Sequence, residues 1–262
     1  MAAGPIEQFE VHKLADFGSV NLPVLGTVDI AFTNSTLAMT IAVGLVILFM
    51  AAVTARPQVV PGRTQVMGEM AFGMVDDLAT QLIGPEGRKF FPFVFTLFTF
   101  ILAMNLLGLF LIFTATSQLA VTATLAVMTI LLVLIVGFAR NGLGFFKLFV
   151  PSGVPFYVLP LVIPIEFVSF LLRPFTLALR LFGNMLGGHV ALKVFAGFII
   201  ALGGLAAGGG LGLFGIPGAV LSMGGVLALT ALEFLVAFLQ AFVFTVLTCI
   251  YLNDVVNLGH GH

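Results

Sequence analysis

Six ionisable side chains sit where the surrounding sequence is almost wholly apolar: Glu166, Arg173, Arg180, His189 and Lys193 in one long hydrophobic segment, and Glu233 in the next. Holding such a group at the centre of a bilayer costs roughly 2.5–3.5 kcal/mol. Lys193 can reach toward the outer surface, and Glu166 stands near the entrance of its segment, so both are less expensive. Arg180 has no such escape. It lies about midway along its segment, within Leu177-Ala178-Leu179-Arg180-Leu181-Phe182, and a guanidinium does not give up its proton. Three chemistries fit this fixed cation: a structural ion pair with Glu233 or Glu166, a site for an anionic substrate, or an electrostatic element on an ion path.

If the two segments form an antiparallel hairpin, Arg180 comes level with Gln240, and His189 comes level with Glu233 in nearly the same register. An imidazole and a carboxylate at one depth can pass protons, because imidazole titrates near neutral pH and has distinct donor and acceptor nitrogens. The same pair can also simply hold two helices together. Nine positions separate His189 from Arg180, so the two face opposite sides of a straight helix. Gly183, Gly187 and Gly188 permit close approach of another helix, from a partner or from this chain. Pro174 removes a backbone donor and predicts a loosened or kinked helix. Arg173, Thr176 and, in an earlier uncharged helix, Asn105 are further polar groups able to bond between helices or touch a channel.

These residues need membrane helices to position them. The chain has 262 residues, 60% hydrophobic and 8% charged, against about 25% charged in ordinary soluble domains. Mean hydropathy is +1.22. A net charge of −1 excludes a nucleic-acid binder that works through bulk positive charge. The single cysteine, Cys249, excludes an intrachain disulfide or a cysteine metal cluster. The expected fold is an all-α integral membrane protein with about five membrane helices, one interfacial amphipathic helix and a long C-terminal helical hairpin.

Gaps between charges locate the spans. Residues 30–55 carry none and form the first. Residues 90–139 are again uncharged and too long for one crossing, so they form a hairpin bent at Thr114, Thr116, Ser117 and Gln118. Residues 140–262 hold the long hairpin, with apolar stretches at about 155–201 and 217–253 around the Gly-rich run Gly203–Gly218. Residues 1–29, with Glu7, Glu10, Asp16 and Asp29, read as an irregular acidic tail rather than a removed signal. Within 56–89, the stretch 64–83 aligns Val66, Met67, Met70, Ala71, Met74, Val75, Leu78 and Leu82 on one stripe. Gln65, Glu69, Asp76, Thr80 and Gln81 lie mostly opposite. That acidic face, with Asp76 and Asp77, suits a protein partner at least as well as anionic lipid. Basic residues crowd two loops (Arg56, Arg63, Arg88, Lys89; then Arg140, Lys147) and avoid 114–118 and 203–218. The positive-inside rule then sets the N-terminus outside and the C-terminus in the cytoplasm.

The run Arg173-Pro174-Phe175-Thr176-Leu177-Ala178-Leu179-Arg180-Leu181-Phe182-Gly183-Asn184-Met185-Leu186-Gly187-Gly188-His189 resembles the signature of the subunit a family of F-type ATP synthases. So does Leu239-Gln240-Ala241-Phe242-Val243-Phe244-Thr245, running on to Leu252, and Asn105-Leu106-Leu107-Gly108 is similar to the same family. The resemblance implies a proton-translocating stator with two offset half-channels, non-catalytic on its own. It implies that Arg180 faces a carboxylate on each passing c subunit, with Asn184 and Gln240 nearby. It further implies Glu166 on the cytoplasmic half-channel and His189 with Glu233 on the outer one, in an order resembling alphaproteobacterial and mitochondrial members. The implied partners are the c-subunit ring, peripheral stalk b-type subunits, the rest of the complex and the bilayer of a bacterial inner membrane. No cofactor, metal or nucleic acid is expected: there is no Gly-x-x-x-x-Gly-Lys-[Ser/Thr] or His-Glu-x-x-His run, and His260 with His262 offers two ligands and no third. The competing reading is an ion-coupled secondary transporter whose Arg180 binds an anionic substrate. It would favour internal repeats, and none is evident in this sequence.

Overall fold

The computed structural model describes residues 11–22, 26–55, 58–110, 114–150, 155, 157–207 and 215–258. Six α-helices dominate: α1 Asn34–Thr54, α2 Arg63–Ile83, α3 Gly87–Phe110, α4 Leu119–Asn141, α5 Leu159–Ala207 and α6 Gly215–Val256. All except α2 are long and apolar enough to cross a membrane. The protein is an all-α integral membrane protein carrying one small β-hairpin.

The hairpin corrects the expectation of an irregular N-terminal tail. Strands β1 (Lys13–Leu22) and β2 (Gly26–Thr33) pair antiparallel, from Leu22↔Gly26 to Lys13↔Thr33, with irregularities between Asp16 and Ser19. Gly18 sits there at φ 100, a conformation open to glycine, with its N–H donating to Asp16 Oδ1. Strand β2 also takes up Ile30–Thr33, so the first helix starts at Asn34 rather than Ile30. Glu7, Glu10, Arg56, His260 and His262 lie outside the described residues.

The α3–α4 bend is a short 3-10 turn, Ala115–Ser117. Ser117 Oγ donates to Thr114 O at 2.6 Å there, closing the turn with a local side-chain bond. After α4, Gly142 takes φ 51 and opens a 3-10 stretch, Gly142–Phe149. Helix α5 has 49 residues and runs through Pro164 and Pro174 without interruption. At about 1.5 Å per residue it is more than twice as long as the hydrocarbon core is thick, so it cannot cross upright within it.

The chain falls into two units, each with its own packing. The first comprises Met1–Ala42, Met104–Gln118 and Leu181–Leu239. Here α5 and α6 lie antiparallel on glycine contacts. A Cβ on Gly225 would stand 2.8 Å from the Phe195 ring, and one on Gly218 2.8 Å from Leu202 Cδ1. Phe110 meets Phe234 edge-on at 5.7 Å.

The second unit comprises Val43–Ala103, Leu119–Arg180 and Gln240–His262. Its α2 buries Gly68, Val75, Ala79 and Ile83, whereas Met67 and Met70 stay 62% and 69% exposed. The packed face is therefore rotated from the predicted stripe, because the small residues admit close neighbours: a Cβ on Gly68 would stand 2.5 Å from Val53 Cγ1. Phe145 gathers Phe138, Phe149 and Phe170 at centroid distances of 4.6, 5.9 and 6.1 Å, fixing the 3-10 stretch on α4 and α5. Helix ends leave carbonyls without intrahelical partners, and two asparagines supply donors. Asn141 Nδ2 donates to Val255 O at 2.7 Å, and Asn257 Nδ2 to Ile83 O at 3.0 Å. Glu86 bonds Lys89 Nζ at 3.3 Å and the Arg140 guanidinium. Those two cations, Lys89 foremost, hold its carboxyl below the usual carboxylate range.

Candidate functional site

In the second unit, Arg180 is exposed and has neither a hydrogen bond nor an ion pair among the described residues. Thr176, one turn earlier on α5, is also exposed, and its hydroxyl is tied to Arg173 O at 2.9 Å. Thr176 and Arg180, four residues apart, lie on one face of α5. That face presents a guanidinium in an otherwise apolar span. Gln240 is buried, at 4% exposure. In the first unit Gly183, Asn184 and Gly187 are exposed, and a Cβ on Gly183 or Gly187 would meet nothing within 4 Å.

Also in the second unit, Arg173 Nη1 donates to Asp254 Oδ2 at 2.8 Å. Its guanidinium carbon lies 4.6 Å from the Tyr251 ring centre and 5.3 Å from that of Phe170. Charge pairing and cation–π stacking together immobilise it. Glu166, half-buried, lines a cavity of about 210 Å³ with Leu148, Phe149, Phe170, Arg173 and Asp254. Two carboxylates and a guanidinium thus share one space with room for several waters.

In the first unit, His189 Nε2 lies 3.0 Å from Thr114 Oγ1. Glu233 packs directly on Gly188, so α5 and α6 bring it to the level of His189. Both Glu233 oxygens are buried without a hydrogen-bond partner among the described residues. The two groups share a depth, then, without a hydrogen bond between them. Gly188 is the glycine that this chain's own α6 fills; Gly183 and Gly187 are left open. Asn105, fully buried, donates from Nδ2 to Ala237 O at 3.1 Å and so ties α3 to α6.

The second unit thus holds a fixed cation at an open face, and the first holds two titratable groups, His189 and Glu233, at one level. Comparison with known proteins then decides the lineage. The family described as ATP synthase A chain matches residues 36–253. Full-length relatives named ATP synthase subunit a include one from Rhodopseudomonas palustris (strain BisB18), 53% identical over 98% of this chain and 99% of its own. Another, from Maricaulis maris (strain MCS10), is 50% identical over 98% of each chain. A third, from Chelativorans sp. (strain BNC1), is 49% identical over 99% of this chain and 100% of its own. The chain belongs to the ATP synthase A chain family.

In this ATP synthase A chain member three polar contacts escaped the sequence reading. Asp254 was hidden as one acid near the end of the last helix. Tyr251 reads as an ordinary apolar-helix aromatic, and its spacing of three from Asp254 is the signal that could have joined them to one basic partner. Thr114 read only as a bend residue, because a hydroxyl at a turn has a local explanation already.

Proposed function

We propose that the chain is the proton-carrying stator of a rotary F-type ATP synthase, set in a bacterial inner membrane with its N-terminus outside and its C-terminus in the cytoplasm. The observation that carries this reading is Arg180: a permanent cation in a membrane helix, exposed and unpaired within the described residues. A cation so placed attracts an acidic group on a neighbouring helix and favours its ionised form. The c-subunit ring supplies that acid. As each site approaches Arg180 its proton leaves, and the same charge keeps protons from crossing directly between two aqueous half-channels.

The cavity of Glu166, Arg173 and Asp254 forms the cytoplasmic half-channel in this reading, and His189 with Glu233 the outer one. Asn184 and Gln240 tune the polarity around Arg180. Each proton moved through 100 mV supplies about 2.3 kcal/mol, so several must pass for each ATP. The peripheral stalk's b-type subunits hold the chain against rotation, and the exposed acidic face of α2 is available to partner proteins.

The test is Arg180→Ala in the assembled complex. It abolishes coupled ATP synthesis and ATP-driven proton pumping in inverted membrane vesicles. Pumping at the wild-type rate by that variant overturns the proposal.

A further inference from the structure

Thr114 has a more specific place than the bend it sits in. It is 3% exposed, and its hydroxyl lies between two partners: His189 Nε2 at 3.0 Å and Gly108 O at 3.3 Å, to which it donates. Gly108 stands in the last turn of α3, where carbonyls lack intrahelical donors. Its missing side chain matters too, since a Cβ there would collide with the Thr114 side chain. On the other side Thr114 O is held by Ser117, from N at 3.1 Å and from Oγ at 2.6 Å. Backbone and side chain of Thr114 are thus both fixed.

A hydroxyl has one hydrogen and spare lone pairs. Once that hydrogen goes to Gly108 O, the oxygen can only accept from His189, and Nε2 must carry the proton. The neutral imidazole is then the Nε2–H tautomer, and Nδ1 is its basic nitrogen. We infer that Thr114 is a positioning residue for proton transfer: it fixes His189 as the Nε2–H tautomer, so that protons enter and leave the ring at Nδ1. A proton arriving at Nδ1 makes an imidazolium whose Nε2–H stays bonded to Thr114, and its departure from Nδ1 restores the starting tautomer. No hydrogen on Thr114 moves. Glu233, at the same level with both oxygens unpartnered, is the acid available to exchange protons with this ring.

The inference rests on the proton-carrying reading above, and the test separates the two. Thr114→Val keeps the shape and removes the hydroxyl; Thr114→Ser keeps the hydroxyl and removes the methyl packed on Gly108. ATP-driven proton pumping is measured in inverted vesicles at equal amounts of assembled complex. A tautomer-fixing role predicts that Thr114→Val loses about tenfold, on the scale of losing an imidazole's orienting partner at other sites, and that Thr114→Ser recovers most of the rate. A merely packing role predicts the reverse order, and that result overturns the inference. Should Thr114→Val not assemble, Thr114→Ser against Thr114→Ala isolates the same hydroxyl, with equal rates overturning it. Arg180→Ala is run alongside. Pumping that survives there overturns the proton-carrying reading itself; pumping lost there but intact in Thr114→Val overturns the tautomer role alone.

Discussion

Arg173 and Asp254 form an ion pair at 2.8 Å between α5 and α6, with side chains 21% and 28% exposed, and Tyr251 stacks on the guanidinium from the same helix as the acid. The pair is neither a solvated surface contact nor a sealed one, so its contribution falls between those limits. Asp254→Asn is expected to destabilise the chain by about 1–2 kcal/mol, because it strands a half-buried cation. Replacing both, Arg173→Met with Asp254→Leu, costs less than either single change. Thermal unfolding of the purified chain in detergent, run as a double-mutant cycle, checks the non-additivity.

Arg180→Lys keeps a positive charge on paper and is expected to fail all the same. An ammonium in an apolar span gives up its proton readily and has no planar fork, whereas a guanidinium stays charged. Pumping is expected to fall by roughly tenfold or more on that ground. A rate near wild type would mean that a fixed charge at this position is not required.

Adjacent glycines should behave oppositely. Gly188→Ala drives a methyl into the Glu233 carboxylate and is expected to cost about 1–3 kcal/mol by overpacking. Gly187→Ala meets open space in this chain, and an alanine there raises intrinsic helix stability by about 0.5–1 kcal/mol. Yet Gly187→Ala should slow coupled pumping if a rotor helix must approach that face. Unfolding of the purified chain beside pumping by the whole complex distinguishes the two.

Acid should loosen the contact between the start of α3 and the end of α4. Glu86 has its carboxyl lowered by Lys89 and Arg140, so the ionised form is favoured by folding. Stability from such a group is fully present above its unfolded pKa and is lost as pH falls through the lower, folded one. Lowering the pH below the ordinary carboxylate range should therefore raise hydrogen exchange at the start of α3. Glu86→Gln should flatten that pH response by raising exchange at neutral pH toward the acid level, and high salt should mimic it.

The spans were legible because charge is so costly in lipid that its absence marks them, and the α5–α6 level of His189 and Glu233 followed from antiparallel geometry alone. Finer relations were not. Glu233 chose Gly188 because a glycine next to the histidine offers room, and His189 turned to Thr114, a partner from 75 positions away. Nothing local in either segment announces such a choice. The hairpin of β1 and β2 was missed for a different reason: Asp16, Gly18, Ser19 and Asn21 have poor strand propensity, and pairing between the two strands overrides it. In α2 the hydrophobic period placed Val75 inside correctly but put Met67 and Met70 beside it, whereas packing took Gly68 and Ala79, since closeness outweighed apolarity.

The end of α6 is moored at three points, to α5 through Asp254, to α4 through Val255 O, and to α2 through Asn257 just beyond the helix. A sideways push on this end of the helix is therefore shared among three neighbours instead of bending a loose end. Trimming the chain back to Asn253 would turn a braced beam into a cantilever, and the stiffness of this end of α6 would fall although no span had been shortened below a membrane's width.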